Sequence, residues 1–275
     1  MKNRNLRDEN KRAIVMAVAS GKGGVGKTNI SLNLAICLAQ AGKRVLVIDA
    51  DLGLGNLDVV MNLSSRYNLS HVIAGHKALD QIIQVGPAGV EVICGGSGLE
   101  EMANLTPFQH QRLISEFNTL QDRSDVILID TGAGISRNVM GFCMAADHTL
   151  VVTTPDPAAM TDAYALIKIL AAKQYSGRIS LLVNKAASIV DGKKIYRQIA
   201  QVASRFLAVP VYEAGILCRD EALPASVSRR EPVVLAFPKS LFSRDLKTIS
   251  NRLTNTAPIQ SDGDGFFRKV VNWFF

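Results

Sequence analysis

Two lysines, Lys22 and Lys27, share one glycine-rich loop, Ser20-Gly21-Lys22-Gly23-Gly24-Val25-Gly26-Lys27-Thr28-Asn29. Gly21, Gly26, Lys27 and Thr28 satisfy G-x-x-x-x-G-K-[ST], a pattern whose backbone amides wrap phosphate groups. In such a loop Lys27 reaches the β- and γ-phosphates, and the Thr28 hydroxyl ligates Mg²⁺. Lys22 is surplus to that task. Spacing alone leaves open whether it is a solvated loop lysine or takes part in the chemistry. Three carboxylates fit the same chemistry: Asp49 and Asp51, separated by Ala50, and Asp130 at the end of the apolar run Val126-Ile127-Leu128-Ile129. Phosphoryl transfer needs positioning and charge neutralisation more than covalent help, so carboxylates that hold a metal or a water are enough.

These residues need a scaffold that brings strand ends together. Short β-branched runs predict strands at Ile14–Ala19, Arg44–Asp49, Val90–Cys94, Asp125–Asp130, Thr149–Thr154, Ile179–Asn184 and Val211–Leu217. Amphipathic stretches predict helices at Lys27–Ala41, Pro107–Leu120, Ser136–Ala145, Pro157–Lys173, Lys193–Phe206 and Ser240–Leu253. The alternation implies an α/β fold of the P-loop NTPase kind, a mostly parallel sheet flanked by helices, with its ligand outside the carboxyl ends of the strands. Three parts are expected: a charged leader (1–12), an ATPase domain (13–256), and a linker with a terminal amphipathic helix (257–275).

Composition narrows the classes. The 275 residues carry a net charge of +7, which suits polyanions without selecting one. Cys37, Cys94, Cys143 and Cys218 have neither zinc-ligand nor disulfide spacing. There is no signal-like leader and no apolar run long enough to span a bilayer, so a cytoplasmic chain is expected. Base identity follows from Asn184-Lys185-Ala186-Ala187. The Asn184 amide can pair with the N6/N7 edge of adenine, and Ala187 stands where a guanine-selective loop would carry a carboxylate, which favours ATP over GTP.

Lys22-Gly23-Gly24-Val25-Gly26-Lys27-Thr28 resembles the deviant P-loop of the MinD/ParA class of dimerising ATPases. The resemblance implies that Lys22 crosses the face of an ATP-bound homodimer to the partner's phosphates. It implies that Asp49 holds a Mg²⁺-bound water, that Asp51 orients the attacking water, and that Asp130 is an outer-shell metal carboxylate. Asp49-Ala50-Asp51 with Leu52–Asp58 is similar to a switch I segment, and Thr131-Gly132-Ala133-Gly134 to a switch II. Asp156 matches an acidic position near the ribose. Asp220 matches a base-lining position, with Cys218 where relatives carry proline.

Within the class, Thr106-Pro107-Phe108-Gln109-His110, Thr161-Asp162-Ala163-Tyr164-Ala165-Leu166-Ile167-Lys168 and Phe237-Pro238-Lys239-Ser240 resemble the flagellar-number branch, FlhG/FleN/YlxH. That branch implies work with the signal-recognition-type GTPase FlhF, C-ring components or a flagellar transcription regulator. Of the Asp-Gln-Ala-x-x-Leu-Arg leader linked to FlhF activation, only Leu6-Arg7 remains. The competing expectation is a positioning ATPase for the division site, a chromosome or other cargo.

The last residues form an amphipathic pattern. At about 100° per residue, Arg268, Lys269 and Asn272 share one arc, while Phe266, Phe267, Val270, Val271, Trp273, Phe274 and Phe275 occupy the rest. Such a helix can lie in the headgroup boundary of an anionic membrane or in a protein groove. The polar run before it argues against docking on its own domain, and MinD-like proteins carry a comparable membrane-targeting helix. The aromatic content speaks against nucleic acid, which offers no apolar layer.

Overall fold

The computed structural model describes residues 12–51, 57, 63, 66–68, 71–72, 74–94, 107–254 and 265–274. The expectations on the leader before Arg12, on 52–56 and Asp58, on Thr106, on the linker residues 255–264 and on Phe275 lie outside them. The elements run β1 (Ile14–Ser20), α1 (Lys27–Gln40), β2 (Val45–Ala50), β3 (Gln84–Val85), β4 (Glu91–Ile93), α2 (Pro107–Arg123), β5 (Val126–Ala133) and α3 (Arg137–Ala145). There follow β6 (His148–Thr153), α4 (Pro157–Ala172), β7 (Arg178–Ala186), α5 (Ile189–Leu207), β8 (Tyr212–Cys218), α6 (Ala222–Ser228), α7 (Val233–Ala236), α8 (Leu241–Thr254) and α9 (Phe266–Phe274).

Among the described residues, eight strands form one sheet in the order β3-β4-β2-β5-β1-β6-β7-β8, parallel except where β3 meets β4. Both faces are covered, so apolar side chains point both ways along each strand. Val15, Ala17 and Ala19 join the core under α3 and α4, while Met16 and Val18 join the core under α1 and α8. The register of β2 on β5 pairs Asp49 with Asp130, and that of β1 on β5 pairs Val18 with Asp130. Strand pairing alone therefore brings two candidate metal-side carboxylates together beside the loop that follows β1.

Helix boundaries follow local chemistry. The Asp156 carboxylate caps α4 by accepting from the N–H groups of Ala158 (2.8 Å) and Ala159 (3.3 Å), with Pro157 in the first turn. Helix α5 begins at Ile189, earlier than the expected Lys193, because the Ser188 hydroxyl accepts from Asp191 N–H (3.1 Å). Strand β5 continues to Ala133, past its expected end at Asp130, since Thr131 and Ala133 still pair with β2 and β1.

Helix α9 packs on its own domain, against the expectation drawn from the polar run before it. Phe266, Phe267 and Val270 are 1%, 4% and 3% exposed. Phe267 stacks on Phe117 of α2 with ring centroids 4.1 Å apart. Trp273 donates its indole N–H to the Arg137 carbonyl (3.0 Å), and Arg137 Nη2 donates back to the Trp273 carbonyl (3.2 Å). Lys173, at the end of α4, lies 4.9 Å from the indole centroid. The indole fits because residue 141 is glycine: a Cβ there would stand 2.5 Å from Trp273 Cδ1. Arg268 and Asn272 face solvent, as the polar arc requires. The groove between α2 and α3 supplies the apolar surface that no local reading of the linker could foresee.

Candidate functional site

The glycine loop runs from the end of β1 into α1. Gly26 adopts φ of 99°, in the left-handed region, and a Cβ there would also meet Asn184 Nδ2 at 2.6 Å, so only glycine fits. The loop is clasped from behind. Asn184 Nδ2 donates to the Val25 carbonyl (2.8 Å), and Lys185 Nζ donates to the Gly24 carbonyl (2.9 Å). In front of it opens a cavity of about 940 Å³, lined at one end by Gly23, Gly24, Gly26, Lys27, Thr28, Asn29 and Asp51. Asn184, Arg219, Asp220, Leu223 and Pro224 line the other end. A nucleoside triphosphate is of the right size and polarity gradient: cations and amides at one end, apolar side chains with a few polar groups at the other.

The electrostatics at the phosphate end favour a polyanion with a divalent cation. Lys27 is 8% exposed, and burial pulls its ammonium below the usual range while Asp130 and Asp51 pull it back. Burial raises Asp49 to about 7, with the Asp130 charge adding to it. Burial likewise raises Asp130 to about 6 against hydrogen bonds from Ser31 and Thr28, the first at 2.8 Å. Asp49 accepts from Asp51 N–H at 3.1 Å. Asp130 and Asp51 thus act on the Lys27 ammonium, and Asp49 lies close to both carboxylates. Among the described residues no trio of His, Cys, Asp or Glu could hold a metal unaided. The residues present fit a Mg²⁺ that would arrive with phosphates: Thr28 would hold it, with Asp49 and Asp130 behind.

A second cavity of about 400 Å³ lies across Gly23 and Gly24 from the first, lined by Lys22, Thr154, Asp156, Lys185 and Arg219 among others. Lys22 lines this cavity and not the larger one. Its ammonium sits 3.1 Å from Asp156 in a half-exposed pair, 41% and 50% accessible. An exposed pair of this kind adds little stability and gives way to a stronger partner.

The structure brings Gly23, Gly24, Gly26, Lys27, Thr28, Asn29 and Asp51 to the larger cavity and pairs Asp49 with Asp130 nearby, while Val25 lines the smaller cavity with Lys22 and Gly21 lines neither. It takes Asp156 away from the larger cavity, where its carboxylate serves α4 and Lys22. Asp220 lines the base end, but its oxygens accept from Ala222 N–H (2.9 Å) and Phe242 N–H (2.8 Å), so it holds α6 and α8 in place. Asn184 also accepts from Lys185 N–H (2.9 Å), leaving one N–H and one lone pair for a base. Sequence reasoning missed Ser31, Lys185 and Arg219. Ser31 was detectable, because it lies one turn after Thr28 on the same face of α1.

The AAA domain profile matches residues 13–182. The chain is 40% identical to the antiactivator FleN of Pseudomonas aeruginosa over 87% of this chain and 85% of that one. It is 34% identical to the flagellum site-determining protein YlxH of Helicobacter pylori over 94% and 90%. Its fold superposes on the MinC:MinD cell division protein complex of Aquifex aeolicus with a TM-score of 0.69 and 25% identity, covering 91% of this chain and 100% of that one.

Proposed function

The chain belongs to the MinD/ParA family of ATPases, and from that footing we propose that it is a dimerising ATP switch on the inner face of the cytoplasmic membrane that regulates flagellar number and placement. The observation that carries this reading is α9 folded back on its own domain. Phe266, Phe267 and Val270 of the face that could enter a lipid surface are buried in the single chain, so a signal is needed to expose them.

ATP binding and pairing supply the signal, and hydrolysis ends it. Lys27, Thr28 and the loop amides hold the nucleotide, and Asp51 orients the water that attacks the γ-phosphorus. Thr28, with Asp49 and Asp130 behind it, would hold a Mg²⁺ whose charge would offset that of the phosphates. Two ATP-bound chains face each other through their glycine loops, each extending Lys22 to the other's phosphates. Switch II then carries the news to the tail. Thr131–Gly134 leads through Ser136, the N-cap of α3, directly into Arg137, the residue that exchanges hydrogen bonds with Trp273. A small turn of α3 is enough to loosen the indole.

Two exposed tails on one dimer bind a surface better than one, by effective concentration rather than new contacts. Hydrolysis separates the pair and the tails return to their grooves. The name of one relative, a flagellum site-determining protein, supports a flagellar role; a transcription regulator, FlhF or C-ring components are the partners proposed with it.

Ending the chain at Gly265 should abolish ATP-dependent sedimentation with anionic vesicles, leave ATP binding intact, and alter flagellar number or position in cells. Sedimentation at the unaltered level would refute the tail's role. Normal flagella in cells lacking the whole chain would remove the flagellar assignment.

A further inference from the structure

We propose that Arg219 is a second cation delivered across the dimer face, acting beside Lys22 on the partner's nucleotide; the inference rests on the dimer reading above. Arg219 lines the smaller cavity together with Lys22 and Lys185, with Asp156 as the lone carboxylate in its lining. Three cations against one anion make this a site for a polyanion. Lys185 is already committed to the Gly24 carbonyl, and Lys22 supplies a single charge. A bound triphosphate carries several.

Arg219 is suited to the remainder. Its backbone N–H donates to the Ala186 carbonyl (3.0 Å) and its Nε to the Lys185 carbonyl (3.3 Å), which fixes the base of the side chain. Its two terminal nitrogens make no hydrogen bond or ion pair among the described residues, and the side chain is exposed. An anchored guanidinium with a free fork matches phosphate oxygens two at a time. Arg219 also borders the base end of the larger cavity, so its own chain's nucleotide is the rival target. At that end it would meet a neutral purine, a weaker attraction than a triphosphate offers.

Mixing variants decides which chain Arg219 serves. Arg219→Ala is expected to lower turnover by about tenfold to a hundredfold, with ATP affinity of the single chain unchanged. Asp51→Ala is expected to be inactive alone. In an equimolar mixture, the Arg219→Ala chain keeps its own Asp51 and receives Arg219 from its partner. Turnover should then return to about a quarter of the unaltered rate, since half the pairs are mixed and half their sites are complete.

A mixture of Lys22→Ala with Asp51→Ala is the control. Rescue in both mixtures supports the inference. Rescue with Lys22→Ala but not with Arg219→Ala overturns it and leaves the dimer standing. Rescue in neither overturns the dimer reading as well. A tenfold loss of ATP affinity in the Arg219→Ala chain alone would assign Arg219 to its own nucleotide and also overturn the proposal.

Discussion

Replacing Lys22 with alanine is expected to cut steady-state ATP turnover by about a hundredfold or more while leaving ATP affinity of the single chain within about twofold. The separation of effects comes from geometry. Lys22 lines the smaller cavity, whereas Lys27, Thr28 and the loop glycines line the larger one. Removing Lys22 therefore leaves the nucleotide's own cradle whole and deletes only the charge offered across the face. The lost pair with Asp156 is half-exposed and costs little stability. Turnover by a coupled phosphate assay and affinity by a fluorescent ATP analogue measure the two quantities. Equal losses in both would mean that Lys22 serves its own nucleotide.

Replacing Gly141 with leucine is expected to free the tail without ATP. A Cβ at this position already stands 2.5 Å from Trp273 Cδ1 and 2.9 Å from its Nε1, so a leucine side chain and the docked indole exclude each other. Overpacking of this kind costs about 1–3 kcal/mol, which shifts the docking equilibrium by roughly five- to a hundredfold. The substitution favours the helix itself, by somewhat less than the ~0.8–1 kcal/mol that separates glycine from alanine, so α3 should persist. Sedimentation with anionic vesicles should then become independent of nucleotide while ATP binding is kept. A Gly141→Leu chain that still requires ATP would show that the α3 contact does not hold the tail in.

The chemistry-bearing residues were legible because they lie in short patterns at strand ends. The G-x-x-x-x-G-K-[ST] loop, Asp49 and Asp130 needed only local sequence, and the register of β2 on β5 then set the two carboxylates side by side. Strands β1, β2 and β5 to β8 were legible for the same reason, since continuous apolar runs bounded by polar residues leave little choice. What escaped was non-local. Two-residue β3 exists only by pairing antiparallel with β4, and its own residues carry no run to detect. Asp156 looked like a ligand in a motif, but the N-terminus of α4 and Lys22 claim its oxygens, and Asp220, though it lines the larger cavity, also caps α6 and α8. Arg219 sits next to a motif position and acquires meaning only when β8 brings it to the turn after β7. The α9 groove depends on Phe117 and Gly141, residues far from the tail in sequence.

Trp273 is the chain's only tryptophan and sits at the docking contact, so its emission reads directly whether nucleotide controls the tail. The Asp51→Ala chain, which should bind ATP and Mg²⁺ without turning them over, is the form to observe in the absence of lipid. The expected result is a shift of emission to longer wavelength and easier quenching by acrylamide on adding ATP. The shift should grow with protein concentration, as pairing demands, and be absent with ADP. Unchanged emission and quenching under ATP, in samples that light scattering shows to be dimeric, would contradict the coupling of nucleotide, pairing and tail.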